Sequence, residues 1–185
     1  MTGLVHPELL TDGVIELRRW RKTDVAGVHA ARGGSTDEAR GWVRQQQARR
    51  STVGVSCAVA PSGQDAVGYV GLIKRPRLEM GVVAALDDGD LVFKAHESVV
   101  GIGYWTAPEA QGKGLATRAV VLLSHWALQN ADVIRVEALL DPHNIASRRV
   151  VEKSGFQSEG HLRLYLQLNG HRADALAYSL LQSDL

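Results

Sequence analysis

Cysteine is nearly absent from this 185-residue chain, where Cys57 stands alone. A single thiol closes no intrachain disulfide and builds no thiolate zinc cluster. Cys57 lies among Val53, Val55, Ala58 and Val59, so it reads as a core residue rather than a nucleophile. The seven histidines contain no His-x-x-x-His pair, and no metal site is expected. An excess of one charge sign is missing too. Twenty-one Lys and Arg against 20 Asp and Glu leave a formal net charge of +1. The densest basic group, Arg44, Arg49 and Arg50, falls at a predicted helix end and reads as a solvated face. Duplex binders carry a basic patch or run, so no nucleic-acid partner is expected. No long apolar run occurs, and residues 1–10 have no basic start. The expectation is therefore no signal peptide, no membrane partner and a cytoplasmic location.

What is present is ordinary for a globular protein: 45% hydrophobic and 22% charged residues. The length suits one domain over 1–185, burying roughly 70% of the surface its unfolded chain exposes. Residues 14–20 are predicted as a first strand. Thr23-Asp24 is predicted to cap a short helix to about residue 31, and Thr36 or Asp37 to start a second one to about residue 50. Residues 53–60 and 66–73 read as a strand pair around the turn Pro61-Ser62-Gly63-Gln64-Asp65. Between them and residue 98, a strand near 80–85, a turn at Asp87-Asp88-Gly89-Asp90 and another short strand are expected. The second half is plainer. A strand over 99–106 precedes a helix over 115–130, with Leu115, Ala119, Leu122, Leu123 and Trp126 at helical spacing. A strand over 134–140 and a helix over 144–154, capped by Asn144 and ended by Gly155, follow. Residues 161–168 and 173–181 pair around Asn169-Gly170. The order is mixed α and β, with antiparallel hairpins at both ends and a helix-linked strand pair between them.

One stretch carries chemistry: Tyr104-Trp105-Thr106-Ala107-Pro108-Glu109-Ala110-Gln111-Gly112-Lys113-Gly114-Leu115-Ala116-Thr117. A strand, a glycine-bracketed loop and a helix N-terminus in succession converge N–H groups and the positive end of a helix dipole on one anion. A Walker A loop needs Gly, four residues, then Gly-Lys-Ser/Thr, but Lys113 precedes its glycine. A Rossmann loop needs a third glycine and an acidic residue after the next strand. Here only Gly112 and Gly114 are in place, and Asp132 comes before that strand. The third phosphate loop is that of acyl-CoA enzymes. Gln111-x-x-Gly114-x-Ala116 matches a Q/R-x-x-G-x-G/A signature, and the chain resembles the GNAT N-acetyltransferase family.

The resemblance extends further. Asn144 to Phe156, with Ser147 and Glu152-Lys153-Ser154-Gly155-Phe156, is similar to the N-x-x-S…E-K-x-G-F block of the branch containing ribosomal-protein N-terminal acetyltransferases. Leu17-Arg18-Arg19-Trp20 with Asp24 resembles that branch's opening, and Tyr178-Ser179-Leu180-Leu181 its closing strand. Only about 74–97 lies outside the resemblance, and that segment is open between shaping an acceptor pocket and a homodimer contact.

The fold implied is α+β: one GNAT-type domain with a central, mostly antiparallel, twisted sheet, a splayed strand pair and flanking helices. The implied co-substrate is acetyl-CoA, with no metal. Backbone N–H groups from Gln111, Gly112, Lys113, Gly114, Leu115, Ala116 and Thr117 would cradle its pyrophosphate, with Lys113 open between adding charge and remaining a surface lysine. The backbone of Trp105 and Thr106 would pair with pantetheine, and a main-chain N–H there would face the thioester oxygen. Asn144 would cap its own helix, touch pantetheine, or do both. Ser147 is the family-matched acid for the leaving thiolate, or else a support for its helix start. Many relatives carry Glu where this chain has Gly101. The first candidate base is therefore Glu137, with Glu97, His143 or water as alternatives, and Glu137 also reads as an arginine-paired strand carboxylate. Trp20, Tyr104, Trp126 and Phe156 read as core, while Trp42 would border the acceptor pocket. The acceptor implied is a primary amine, a protein N-terminus or a small molecule, attacking directly in a ternary complex. The rival reading is a non-catalytic acyl-CoA-binding or regulatory module on the same scaffold.

Overall fold

The computed structural model describes residues 4–48, 54–74, 98–168 and 170–185. Eight strands form one sheet: β1 (Leu9–Thr11), β2 (Ile15–Arg18), β3 (Gly54–Pro61), β4 (Gly68–Lys74), β5 (Val99–Thr106), β6 (Arg135–Leu140), β7 (Gln157–Leu168) and β8 (His171–Leu181). Their order is β1-β2-β3-β4-β5-β6-β8-β7. Every neighbouring pair is antiparallel except β5 and β6. Parallel neighbours need a crossover, and the helix α3 (Leu115–Asn130) supplies it. The remaining helices are α1 (Val25–Arg32), α2 (Thr36–Gln47) and α4 (Ile145–Lys153).

Strand side chains alternate between faces, and the two faces carry two cores. On one, Ile15, Leu17, Val55, Cys57, Val59, Val70, Leu72, Val100 and Val136 meet Leu115, Ala119, Val120, Leu123 and Ala127 of α3 and Val151 of α4. On the other, Ala58 meets Trp20, Val28, Ala39 and Val43, with Trp42, Tyr69 and Trp105 packed against them. Cys57 is wholly buried, and burial pushes its thiol up to about 12, too high for a nucleophile near neutral pH.

Several boundaries differ from expectation. Asp24 does not cap α1, and its side chain makes no cap bond there. It is buried against Arg18 in a two-pronged ion pair, 2.9 Å on each prong, and it also accepts the N–H groups of Arg21 and Ala66. Helix α2 starts at Thr36, the earlier of the two expected positions, because Ser35 and Glu38 form a reciprocal capping box. Strand β1 was not expected: it is only three residues, Leu9-Leu10-Thr11, exposed or half-buried and without apolar–polar alternation in sequence. Strand β7 begins at Gln157, ahead of the expected 161; residues 157–160 are exposed and carry no apolar side chain to announce them. Its register against β8 shifts twice, and Leu164 adopts a positive φ of 52°. Asp174 fixes that irregularity by accepting the Leu164 N–H at 2.8 Å. The elements expected within 75–97, Arg49, Arg50, Val53, Glu97 and Asn169 lie outside the described residues.

Candidate functional site

Strands β5 and β6 part company after three pairs. Val99↔Arg135, Val100↔Val136 and Gly101↔Glu137 are in register, and the ladder goes no further. On its other edge β5 stays paired with β4 as far as Gly68↔Thr106. Residues 102–106 therefore keep one neighbour and open toward a wedge on the other side. The Ser98 carbonyl accepts from Ile134 beside β6, and the Ala107 N–H donates to Val67 on the β4 side. Peptide groups alternate in direction along a strand, and the β4–β5 register contains no shift. Ile102, Tyr104 and Thr106 thus turn their peptide groups into the wedge. Trp105 turns its own toward β4. Period-two alternation was available in the sequence, but its phase depends on which strand lies on which side.

Thr106 leads through a short turn, Pro108–Ala110, into the glycine loop. The Gln111 N–H donates back to the Pro108 carbonyl at 3.2 Å and is engaged within this turn. Gly112 and Gly114 hold φ of 72° and 75°, a left-handed backbone that side chains disfavour. A Cβ at either would meet nothing within 4 Å, so the loop faces open space. The first turn-to-turn bond of α3 runs from the Arg118 N–H to the Gly114 carbonyl. The N–H groups of Leu115, Ala116 and Thr117 have no carbonyl one turn back, as at any helix start, and they point the dipole's positive end into the loop. Lys113 is exposed beside them.

Helix α4 begins where Asn144 accepts the Ser147 N–H at 3.0 Å. Half-buried Ser147 then meets Tyr104 of β5. The phenol donates to the Ser147 carbonyl at 2.9 Å, and the two hydroxyl oxygens lie 2.8 Å apart. Burial pushes the phenol up from its ordinary value, and the Ser147 hydrogen bond opposes that rise. Tyr104 packs against the core as expected, and its hydroxyl also makes a polar bridge from β5 to α4. Nothing in the sequence ties residues 43 positions apart.

On the opposite face, Gly103 of β5 leaves open floor, where a Cβ would meet nothing within 4 Å. Glu137 lies on this face, in register with Gly101. Its carboxylate accepts from Arg135 Nε at 2.9 Å. The other guanidinium nitrogens of Arg135 go to Glu159, which also accepts from the Ser179 hydroxyl at 2.7 Å. Arg135 is held above its ordinary value by Glu159 first and Glu137 second, against burial. The arginine-paired reading of Glu137 thus has direct geometric support. His143 is turned to solvent and contacts Asp141. Glu97 lies outside the described residues.

An aromatic wall stands beside the floor. Trp42 packs against Trp20 at 4.9 Å and Trp105 at 5.8 Å between ring centroids, and Tyr69 stacks on Trp105 at 6.1 Å. The Arg32 guanidinium covers Trp42 at 5.3 Å. Among the described residues no group of three or more His, Cys, Asp or Glu is arranged to hold a metal ion. No helix among them is long and apolar enough to cross a membrane.

A family model described as "Acetyltransferase (GNAT) domain" matches residues 15–157. The putative ribosomal N-acetyltransferase YdaF of Bacillus subtilis is 40% identical over 83 residues, 45% of this chain and 45% of that protein. The spermidine N(1)-acetyltransferase of Escherichia coli is 32% identical over 76 residues, 41% of each chain. The chain thus spans less than half the length of these curated relatives. Among solved structures, the ribosomal L7/L12 α-N-protein acetyltransferase RimL in complex with coenzyme A superposes with a TM-score of 0.70. It is 18% identical, with 94% of this chain and 98% of that one covered.

Proposed function

This chain belongs to the GNAT acetyltransferase family, and from that membership we propose that residues 1–185 form one acetyl-CoA-dependent N-acetyltransferase domain working in the cytoplasm on a primary amine. One observation carries the reading: a strand paired on one side only, running directly into a glycine cradle at a helix N-terminus. Acetyl-CoA offers the two groups such a site fits, a pyrophosphate and an arm of amides. The N–H groups from Gly112 to Thr117 would hold the first. The peptide groups of Ile102, Tyr104 and Thr106 would pair with the second like a further strand. When bound, the co-substrate supplies an activated thioester. The chain contributes an N–H in the wedge for charge growing on the thioester oxygen. Ser147, at the positive end of α4, donates a hydrogen bond to the departing sulfur. A primary ammonium and the thioester yield an amide, a thiol and one proton.

Glu137 bears on the acceptor. Its carboxylate is already hydrogen-bonded to Arg135, so the acceptor that asks least of a base is preferred. Holding a lysine-like amine neutral at pH 7 takes about 4 kcal/mol, and an α-amino group takes about 1.4 kcal/mol. The α-amino terminus of a protein or peptide is therefore the favoured acceptor, reached across the open floor at Gly103 beside Trp42 and Trp105. The absence of a glutamate at Gly101 motivates the second reading, a non-catalytic acyl-CoA-binding module.

The test is calorimetric binding of acetyl-CoA, followed by thiol release with peptides bearing free α-amino termini and, separately, with polyamines. Binding plus thiol release with peptides is expected. Binding with no acceptor yielding thiol would replace the catalytic reading by the module, and faster release with polyamines would overturn the acceptor choice.

A further inference from the structure

We infer that Tyr104 is a positioning residue for Ser147, a hydrogen-bond partner that turns with the Ser147 hydroxyl as negative charge builds on sulfur. The inference rests on the donor reading above, since it concerns how the chain receives the sulfur of coenzyme A.

Each of the two hydroxyls has one proton. The phenol gives its proton to the Ser147 carbonyl at 2.9 Å. The 2.8 Å separation of the two hydroxyl oxygens is then bridged by the proton of Ser147, donated to the phenol oxygen. In this resting arrangement the serine proton is engaged with β5. To serve a departing sulfur, Ser147 must turn its O–H away from Tyr104. That turn leaves the serine oxygen as an acceptor facing the phenol, and Tyr104 can swing its own proton from the carbonyl onto it. The Ser147 carbonyl keeps the helical acceptor position toward the N–H four residues on. Every polar group has a partner in both arrangements, so the turn avoids the penalty of an orphaned buried hydroxyl. Accepting from the phenol also polarises the serine O–H and makes it a stronger donor.

Neither oxygen loses its proton in this switch. The electron pair of the broken carbon–sulfur bond stays on sulfur, and the proton that completes the thiol is one released by the amine. Tyr104 acts only through Ser147. A phenylalanine would keep the ring packing of Tyr104 and lose the switch.

Coenzyme A itself is the probe, read by the ultraviolet absorbance of its thiolate while bound and titrated with pH. The wild-type chain is expected to lower the thiol pKa of bound coenzyme A. Ser147→Ala should abolish that lowering. Tyr104→Phe should raise the bound thiol pKa by about one unit, the size of one charge-assisted hydrogen bond weakened, and should add nothing in the Ser147→Ala background. A Tyr104→Phe titration equal to wild type would overturn the inference. A full shift persisting without Ser147 would do the same, because a merely structural role acts regardless of the serine. A measurement on wild type alone guards against a misfolded variant. The carbonyl carbon resonance of Ser147 should move when the bound thiol ionises, and an unmoved resonance would overturn the switch. If wild type binds no coenzyme A, the donor reading falls and this inference falls with it. If it binds and the two titrations coincide, only the Tyr104 inference falls.

Discussion

Gly114 and Ser147 illustrate how a single atom decides a residue's part. At Gly114 the space around a Cβ is open while the backbone is left-handed. Gly114→Ala should therefore lower stability by only about 1–2 kcal/mol, measurable by urea titration. Gly114→Glu should still fold, yet lose acetyl-CoA by calorimetry, because a carboxylate would sit where the pyrophosphate binds. Undiminished affinity would remove the loop from the donor site. Ser147→Ala should lower kcat about tenfold to a hundredfold, as expected for one hydrogen bond to a charged group, with acetyl-CoA affinity nearly unchanged. The reverse pattern would make Ser147 a binding residue. The buried Asp24 carboxyl is pushed up by burial, but hydrogen bonds from Arg18, Arg21 and Ala66 outweigh that and hold it below its ordinary value. A depressed carboxyl stabilises the fold fully above its unfolded value near 3.9, and the contribution is lost as pH falls through the folded value. Urea midpoints should accordingly fall below about pH 4 in wild type and vary less with pH in Asp24→Asn. Asp24→Ala should cost about 3–5 kcal/mol by leaving Arg18 buried without its partner.

Elements were legible in proportion to how asymmetrically they are buried. Helix α3 announced itself because its apolar residues face one core, and periodicity reports that asymmetry directly. Leu123 is fully buried there, so Leu123→Ala should destabilise the chain by about 2–5 kcal/mol, read as a lower urea midpoint. The outer strand β1 and residues 157–160 at the start of β7 were invisible for the opposite reason. Their side chains are mostly exposed, and only backbone pairing with a neighbour makes them strands. The start of α2 shows a finer limit. Ser35, Thr36 and Asp37 are all good caps, and Glu38 chose Ser35 by reaching back to its N–H at 2.6 Å.

At the scale of the whole molecule, the parted strands give the sheet two working faces. In the proposed function the glycine loop at the start of α3 takes the donor. The open floor at Gly103, beside Trp42 and Trp105, takes the acceptor. Gly103→Leu should therefore fold, since its Cβ meets open space, and should raise the acceptor KM while leaving acetyl-CoA affinity unchanged. Equal loss of both would mean that the two sites are not separated by the sheet. The strand–loop–helix unit could be read from the chain because all its parts are consecutive: a strand, two glycines and a helix start need no distant partner. By itself the sequence determined the conformation of that unit, the capped α4 and the mixed α and β order, all governed by local backbone preference and periodicity. Only the tertiary structure decided that Thr106 rather than Trp105 turns its backbone into the wedge, that Tyr104 bridges to Ser147, and that Glu137 is tied to Arg135. Each of these depends on strand register and on which strands are neighbours, and those are settled by packing between residues far apart in the chain.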